Sequence, residues 1–194
     1  MLSKYFALVA VMTAFVGGLL FVGRSNMPQT EAAPIDYAPS FELPDYRNEL
    51  VHYTTVDRPD NRSRDIYISP GAAERVASNS TARLPGGTVI VIEAHSTFAG
   101  QRRDITEVHV AVKRDEWALT DYATAERAGA WNFFIYDPQT LEIQTDGVFD
   151  CFDCHANNSH IDFIFTRNDL IAYGQTGQVQ DTFCNRLRRL PCRF

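Results

Sequence analysis

Five consecutive residues, Cys151-Phe152-Asp153-Cys154-His155, have the types and the spacing of a covalent cofactor site. Two thiols three positions apart lie on one side of a single turn, where both can add to the vinyl groups of one porphyrin. The imidazole that follows can then reach the iron along the normal to the porphyrin plane. Because Cys-x-x-Cys-His is the attachment motif of c-type haem, the sequence predicts one haem c on Cys151 and Cys154, with His155 as the proximal iron ligand.

Two other kinds of cysteine site fit the sequence less well. A structural zinc site needs four ligands, commonly in two close-spaced pairs, and Cys184 and Cys192 do not form a second short pair. A thioredoxin-like redox pair needs a lowered thiol pKa, which the acidic residues beside Cys151 would not provide. In an oxidising compartment Cys184 and Cys192 are instead predicted to form a disulfide that fastens the C-terminal tail.

The second axial position of the predicted haem iron has no methionine candidate in the globular part of the chain. The methionines are Met1, Met12 and Met27, which all precede that part. Axial ligands shift the reduction potential strongly, so this absence argues against the His/Met ligation of high-potential electron carriers. A second histidine, a lysine or an open site is expected instead.

Among the remaining histidines, His52 and His95 are the candidates for a distal ligand. A strand pattern over residues 106–113 places His109 on a polar face, in solvent. His160 follows His155 too closely along the chain to reach the far side of a porphyrin. For His52 and His95 an ordinary surface or hydrogen-bonded role is the alternative, and an open distal site is slightly favoured.

The segments around these residues predict a mainly β (α+β) fold with a few short helices, rather than an all-helical haem domain. Strands are expected over residues 88–94, 106–113 and 131–136. A helix over residues 69–77 begins with a serine N-cap and a proline, and a second helix is expected over 120–128.

The N-terminal part of the chain is organised differently from the rest. Residues 5–23 form an uncharged apolar run with the length of a membrane-spanning helix, about 20 residues, and a cleaved signal segment is the alternative. We therefore expect an anchor or signal segment over 1–26, a proline-rich tether over 27–44 and a haem domain over 45–194. Covalent haem attachment also takes place outside the cytoplasmic membrane, so the domain is expected in the periplasm, on a bacterial inner membrane.

Composition limits the partners of the chain. With 194 residues, 45% of them hydrophobic, the chain has enough apolar side chains for one domain and an appendage. A net charge of -6 without a basic stripe excludes nucleic acid as an expected partner. The expected partners are the membrane, a redox partner protein or complex, and a second copy of the chain in a homodimer.

Several segments share their order and spacing with one known family. They are residues 45–47 (DYR), 65–72 (DIYISPGA), 84–93 (LPGGTVIVIE), 110–115 (VAVKRD), 129–133 (GAWNF), 151–155 (CFDCH) and 162–166 (DFIFT). The set resembles the cytochrome P-460 family, which includes the beta-type cytochromes c′. The resemblance implies a mostly antiparallel β fold, often dimeric, with the haem against the sheet and a five-coordinate iron in an enclosed distal pocket.

The resemblance also implies two kinds of activity. Some members oxidise hydroxylamine and carry a lysine cross-linked to the haem, whereas beta-type cytochromes c′ bind nitric oxide or carbon monoxide beneath an apolar cap. In this chain the linking lysine aligns near Ile92, residues 88–95 contain no lysine, and Lys113 matches a different position. A cross-link is therefore not expected, which weakens the case for hydroxylamine oxidation. The aromatic candidates for a distal cap, with core packing as the alternative, are Phe98, Phe133 and Phe134.

Three functions follow from these observations. The leading expectation is electron transfer by a membrane-anchored monohaem cytochrome, as a subunit of a membrane redox complex, because a tether suits a carrier held near one partner. The alternatives are binding of nitric oxide at an open iron and oxidation of hydroxylamine or nitric oxide. Oxidation would need acid or base groups over the haem, which the sequence alone does not locate.

Overall fold

One seven-stranded sheet organises the part of the chain that the computed structural model describes, which comprises residues 41–114, 128–144 and 148–184. The strands are β1 (Val51–Arg58), β2 (Arg62–Ile68), β3 (Val89–Phe98), β4 (Gln101–Lys113), β5 (Trp131–Tyr136), β6 (Ile143–Gln144) and β7 (Gln180–Phe183). Their order across the sheet is β6-β5-β4-β3-β2-β1-β7. Neighbours up to β1 are antiparallel, as predicted.

The last strand departs from the predicted antiparallel pattern, since β7 runs parallel to β1, with Gln180 opposite Thr54. Parallel neighbours need a crossover connection, and the last of the helices, α4, supplies its final part. The helices are α1 (Tyr46–Glu49), α2 (Pro70–Ser78), α3 (Val148–Ala156) and α4 (Arg167–Thr176). The fold class is therefore mainly β, as predicted, but with a mixed sheet.

Both faces of the sheet are covered, as β5 shows most clearly, because all six of its residues are buried. Successive side chains of a strand point to opposite faces. Trp131, Phe133 and Ile135 join a large apolar cluster with residues of α2, α3 and α4, on what we call the helix-covered face. Phe134 and Tyr136 join a smaller cluster on the opposite face.

The elements predicted from sequence agree with the structure where it describes them. The strands expected over 88–94, 106–113 and 131–136 correspond to β3, β4 and β5, and the helix over 69–77 corresponds to α2. Strands β3 and β4 are longer than predicted because they continue to a tight hairpin. The helix expected over 120–128 lies outside the described residues apart from its last position.

The predicted anchor and most of the tether also lie outside the described residues. Within residues 41–114, 128–144 and 148–184, no helix has the length and apolar character needed to cross a membrane. At the other end of the chain, Cys184 is buried and disulfide-bonded. Its predicted partner Cys192 lies outside the described residues.

Candidate functional site

Helix α3 carries the cysteine–histidine motif beside the helix-covered face of the sheet. Cys151, Cys154 and His155 all line one cavity of about 460 Å³, which lies within the usual size range of ligand pockets. Both motif cysteines are present as thiols. Burial, together with Asp150 and Cys154, raises the pKa of the Cys151 thiol to about 11. Such a thiol is unlike the activated cysteine of a redox pair.

The imidazole of His155 has the arrangement of a metal ligand. Its Nδ1–H donates to the backbone carbonyl of Phe163 at 2.5 Å, and a carbonyl can only accept, so Nε2 keeps its lone pair. The ring is held between Phe133 and Phe165, at centroid distances of 4.7 and 4.6 Å. Metal-bound histidines characteristically donate their other ring N–H in this way.

The environment of His155 also favours the neutral form that a metal ligand requires. Burial lowers the pKa of His155 to about 4, although the hydrogen bond to Phe163 acts in the opposite direction. The nearby charges of Arg64 and His109 lower it slightly further. The donor set of two thiols and one oriented neutral imidazole fits an iron porphyrin.

The loop that follows α3 fixes the carbonyl that His155 uses. Asp162 and Phe163 both have positive φ, at 54° and 64°, a backbone conformation that is uncommon outside glycine. The Asp162 carboxylate accepts from the Lys113 ammonium at 2.7 and 2.9 Å and from the Leu84 N–H at 2.8 Å. The Trp131 indole N–H donates to the Asp162 carbonyl at 3.0 Å. These contacts tie the loop to β4 and β5.

Gly129 also supports this loop, because a Cβ atom there would lie 2.4 Å from the Phe163 ring. Its φ of +62° adds the cost of a left-handed conformation, about 1–2 kcal/mol. Overpacking costs about 1–3 kcal/mol more. We therefore expect Gly129→Ala to lower the free energy of unfolding by about 2–5 kcal/mol, measured by chemical denaturation.

Gly177 provides a matched control for the Gly129 prediction. Its φ is +68°, but nothing lies within 4 Å of the position that a Cβ would take. Gly177→Ala should therefore cost only the left-handed term, about 1–2 kcal/mol. Equal losses for the two variants would show that the Phe163 contact is not what restricts position 129.

The cavity combines an apolar sheet surface with positive charge. Its apolar lining from the sheet includes Ile66, Ile90, Ile92, Ala111, Phe133 and Ile135. Three guanidinium groups also line it, those of Arg58, Arg62 and Arg64. Burial, and secondarily the charge of Arg58, lowers the pKa of Arg64. A buried guanidinium beside other positive charges is stabilised most by an anionic partner.

His109 lines the cavity, in contrast to the solvent position predicted from sequence. It lies opposite Ile92 in the β3–β4 register, and its Nε2–H donates to the Glu107 carboxylate at 2.8 Å. The polar alternation of the β4 sequence marks a cavity wall rather than an exposed surface, because helices cover this face. Glu107 lines the cavity too.

The two histidines predicted as distal ligands lie on the opposite face of the sheet. His52 Nε2 and His95 Nε2 each come within 3.4 Å of the carboxylate of Asp65. In β2, Asp65 alternates with Arg64 and Ile66, which line the cavity, so its side chain points away from it. The sheet therefore separates His52 and His95 from the cavity that His155 faces.

The three candidate cap phenylalanines have three different positions. Phe98 is 69% exposed, near the tip of the β3–β4 hairpin. Phe134 is among the residues that line the cavity, but its ring packs on the opposite face, 5.4 Å from that of Phe41. Phe133 contacts His155 and, at 5.1 Å, Phe152. Phe133 therefore supports the side of the cavity on which His155 lies. Phe98 fits neither a distal cap nor the alternative of core packing, because it is exposed.

The cavity lining shows where the residues relevant to a lysine cross-link lie, and the absence of that cross-link stays a prediction. Ile92, the position that aligns with the linking lysine, lines the cavity. No lysine lines it among the described residues. Lys113 is buried and paired with Asp162, 2.7 Å away, so its ammonium group has a structural partner.

Sequence reasoning missed Phe163, Phe165 and the three cavity arginines. The backbone carbonyl of Phe163 and the ring of Phe165 act through contacts that no local pattern reveals. The arginines could have been noted from the run Arg58-Pro-Asp-Asn-Arg62-Ser-Arg64, where alternation places two of them on one strand face.

The comparison with known families adds one finding. The family model described as Cytochrome P460 matches residues 43–166, which is more than half of the chain. The match covers β1 to β5, the motif helix and the loop that contains Phe163. No curated protein matches the chain.

Proposed function

The chain belongs to the cytochrome P460 family and is therefore a haem protein. We propose that it binds and oxidises a small nitrogenous molecule at an open haem site. One haem c is bonded to Cys151 and Cys154 in this proposal, and His155 is the proximal ligand. The observation that carries it is the arrangement of His155, oriented by Phe163, in one cavity with the ionisable pair His109–Glu107.

The residues around the cavity have distinct tasks in holding the haem. His155 presents Nε2 to the iron, and the rings of Phe133 and Phe165 limit the rotation of its imidazole. Arg62 and Arg64 supply the positive charge that would pair with the two propionate groups, whereas Arg58 already pairs with Asp60. When bound, the haem supplies an iron that takes up one electron at a time and can coordinate a small nitrogenous ligand.

Glu107 and His109 provide the proton chemistry that oxidation of an N–H or O–H compound requires. The hydrogen bond from His109 lowers the pKa of Glu107, so that the carboxylate can stabilise a protonated imidazole. The side chains of His109 and Glu107 are 25% and 46% exposed. A proton accepted by His109 in the cavity can therefore pass to Glu107 and to solvent. General base catalysis of this kind contributes about 10²–10⁴-fold to a rate.

Electron transfer is the second candidate function, and the position of His109 favours it as well. An imidazole that faces the cavity could turn from Glu107 to the iron and give a six-coordinate haem. A membrane-anchored protein with such a haem would exchange electrons with a redox partner and have little affinity for small ligands. The N-terminal run over 5–23 supports this role and a periplasmic location.

Replacing His109 with alanine in the haem-loaded protein distinguishes the two functions. The measurements are the ferric and ferrous absorption and EPR spectra with and without nitric oxide, and the rate of hydroxylamine oxidation with an electron acceptor. For the open site we expect a high-spin wild type that binds nitric oxide, an unchanged spin state in H109A, and a rate lowered at least tenfold. For the electron carrier we expect a low-spin wild type that becomes high-spin in H109A.

His160 is the matched control for this experiment, because it is an exposed histidine outside the cavity. H160A should leave the spectra and the rate unchanged. A wild type that is high-spin, binds nitric oxide and oxidises hydroxylamine at the same rate in H109A would contradict the proton-transfer role. A low-spin iron in H109A would contradict ligation by His109.

A further inference from the structure

Three ligand-type side chains converge on the sheet face opposite the haem cavity. One ligand atom from each of Asp65, Glu93 and His95 lies within 4.8 Å of the other two. Asp65 in β2 and Glu93 in β3 are direct partners in the sheet, and His95 follows on the same strand. Asp65 is 6% and Glu93 3% exposed. Two carboxylates are therefore held side by side in a buried position.

The two distances from His95 Nε2 match those within a metal coordination shell better than those of hydrogen bonds. His95 Nε2 lies 3.4 Å from Asp65 Oδ2 and 3.4 Å from Glu93 Oε2. Normal N–H···O hydrogen bonds are about 2.7–3.2 Å long. Ligands bound tetrahedrally at about 2.0–2.2 Å from a cation are separated by about 3.4 Å.

The second observation concerns the free electron pair of the His95 ring. Nδ1–H donates to the backbone carbonyl of Arg103 at 3.2 Å, which leaves the lone pair on Nε2. This atom is buried and has no hydrogen-bond partner among the described residues. Buried polar atoms normally have a hydrogen-bond partner. A lone pair that faces two carboxylates is unfavourable unless a cation lies between them.

Surrounding side chains hold both carboxylates in place. Tyr46 and the Arg47 guanidinium donate to Glu93 Oε1, at 2.6 and 2.7 Å, so that Oε2 faces His95. The Thr55 hydroxyl donates to Asp65 Oδ1 at 2.6 Å. Such hydrogen bonds to metal-binding carboxylates are typical of metal sites.

Arg102 is the competitor for such a cation. Its guanidinium pairs with Asp65 Oδ2 at 2.5 Å, but its side chain is 40% exposed. The Arg102 side chain can therefore turn towards solvent when a cation binds.

We propose that Asp65, Glu93 and His95 form a binding site for one divalent first-row transition-metal ion, separate from the haem iron. The mixture of one imidazole and two carboxylates suits Zn²⁺ and its neighbours in the series. A cation there would link β2 and β3 across the sheet from the haem and would stabilise the folded chain.

Calorimetric titration of the full haem-loaded chain with Zn²⁺, after treatment with a chelator, tests this site. Haem-loaded protein is needed because the motif thiols would otherwise bind Zn²⁺ themselves. We expect one Zn²⁺ per chain, an affinity at least tenfold lower in His95→Ala, and an unchanged affinity in His160→Ala, which removes an exposed histidine. Binding of no Zn²⁺, equal binding by H95A, or loss of binding in H160A would overturn the proposal.

A second variant and a second readout cover the case in which H95A does not fold. Glu93→Gln keeps an oxygen for the Tyr46 hydroxyl but removes the charge from the ligand set. We expect Zn²⁺ to raise the melting temperature of the wild type, since a ligand of the native state stabilises it, and to have a smaller effect on E93Q. An unchanged melting temperature in the wild type, or equal shifts in both proteins, would rule out the site.

Discussion

Replacing Cys151 and Cys154 together with alanine should remove all haem that resists denaturation. The two thiols lie one helical turn apart in α3 and line the same cavity, so that both can bond to one porphyrin. Coordination by His155 alone would not survive unfolding of the chain. The measurement is haem staining after denaturing electrophoresis, where the wild-type band should disappear in the double variant. For an anchored protein, the wild-type band should be found in the membrane fraction.

The single variants C151A and C154A, and a control variant that lacks both Cys184 and Cys192, show which bonds hold the haem. C151A and C154A should each keep a stained band through the remaining thioether, with the α-band of the pyridine complex shifted to longer wavelength by one unsaturated vinyl group. Replacing Cys184 and Cys192 removes the same number of cysteines from the chain and should leave the band in place. A stained band that persists in C151A/C154A would mean that another side chain bonds the haem.

The arrangement of the cysteine–histidine motif could be predicted from sequence because it is local. Cys151, Cys154 and His155 belong to one helix, so their relation to one another follows from spacing alone. Strand β4 was likewise predictable from alternation, and β3 and β5 from apolar or aromatic runs bounded by turn residues. The direction in which a histidine on a strand points depends on what covers each face of the sheet, and this information is not local.

His109 and His52 illustrate two reasons for that limit. In β4 the polar side that includes His109 faces the cavity, and its opposite side packs into a second apolar cluster, so polarity does not identify solvent. In β1 the pairing with β2 shifts between His52 and Thr54. A one-residue shift moves a side chain to the other face of a sheet, and such irregularities carry no clear sequence signal.

Side-chain pairs between residues that lie far apart in the sequence are the other part of the site that could not be predicted. Lys113 ends β4, and Asp162 lies in the loop after α3, yet their side chains form a buried ion pair. The resemblance to the family included both segments but gave neither residue a partner. The pair explains how a loop with two positive φ angles is kept beside His155.

Replacing Asp162 with alanine should therefore cause a large loss of stability. The side chains of Lys113 and Asp162 are 7% and 3% exposed, so removing the carboxylate leaves a buried ammonium without its partner. Such a change costs about 3–5 kcal/mol, and the Leu84 N–H loses its acceptor as well. Denaturant unfolding of the haem-loaded protein measures the loss. Asp60→Ala removes a carboxylate that is 41% exposed from its pair with Arg58, and it should therefore cost less than Asp162→Ala.

Two further substitutions separate the effect of the broken ion pair on stability from a simple loss of packing. They remove first the charge of Asp162 and then that of Lys113. Asp162→Asn keeps the shape of the side chain and, at a φ of 54°, suits a residue type that tolerates the left-handed region. It should still destabilise the protein, because Lys113 remains charged and buried. Adding Lys113→Met to D162N should then restore part of the stability, since no buried charge is left unpaired. If the second substitution instead destabilises the protein further, the ammonium contributes through other contacts, such as the Trp131 ring 5.6 Å away, and the ion pair is not what holds the loop.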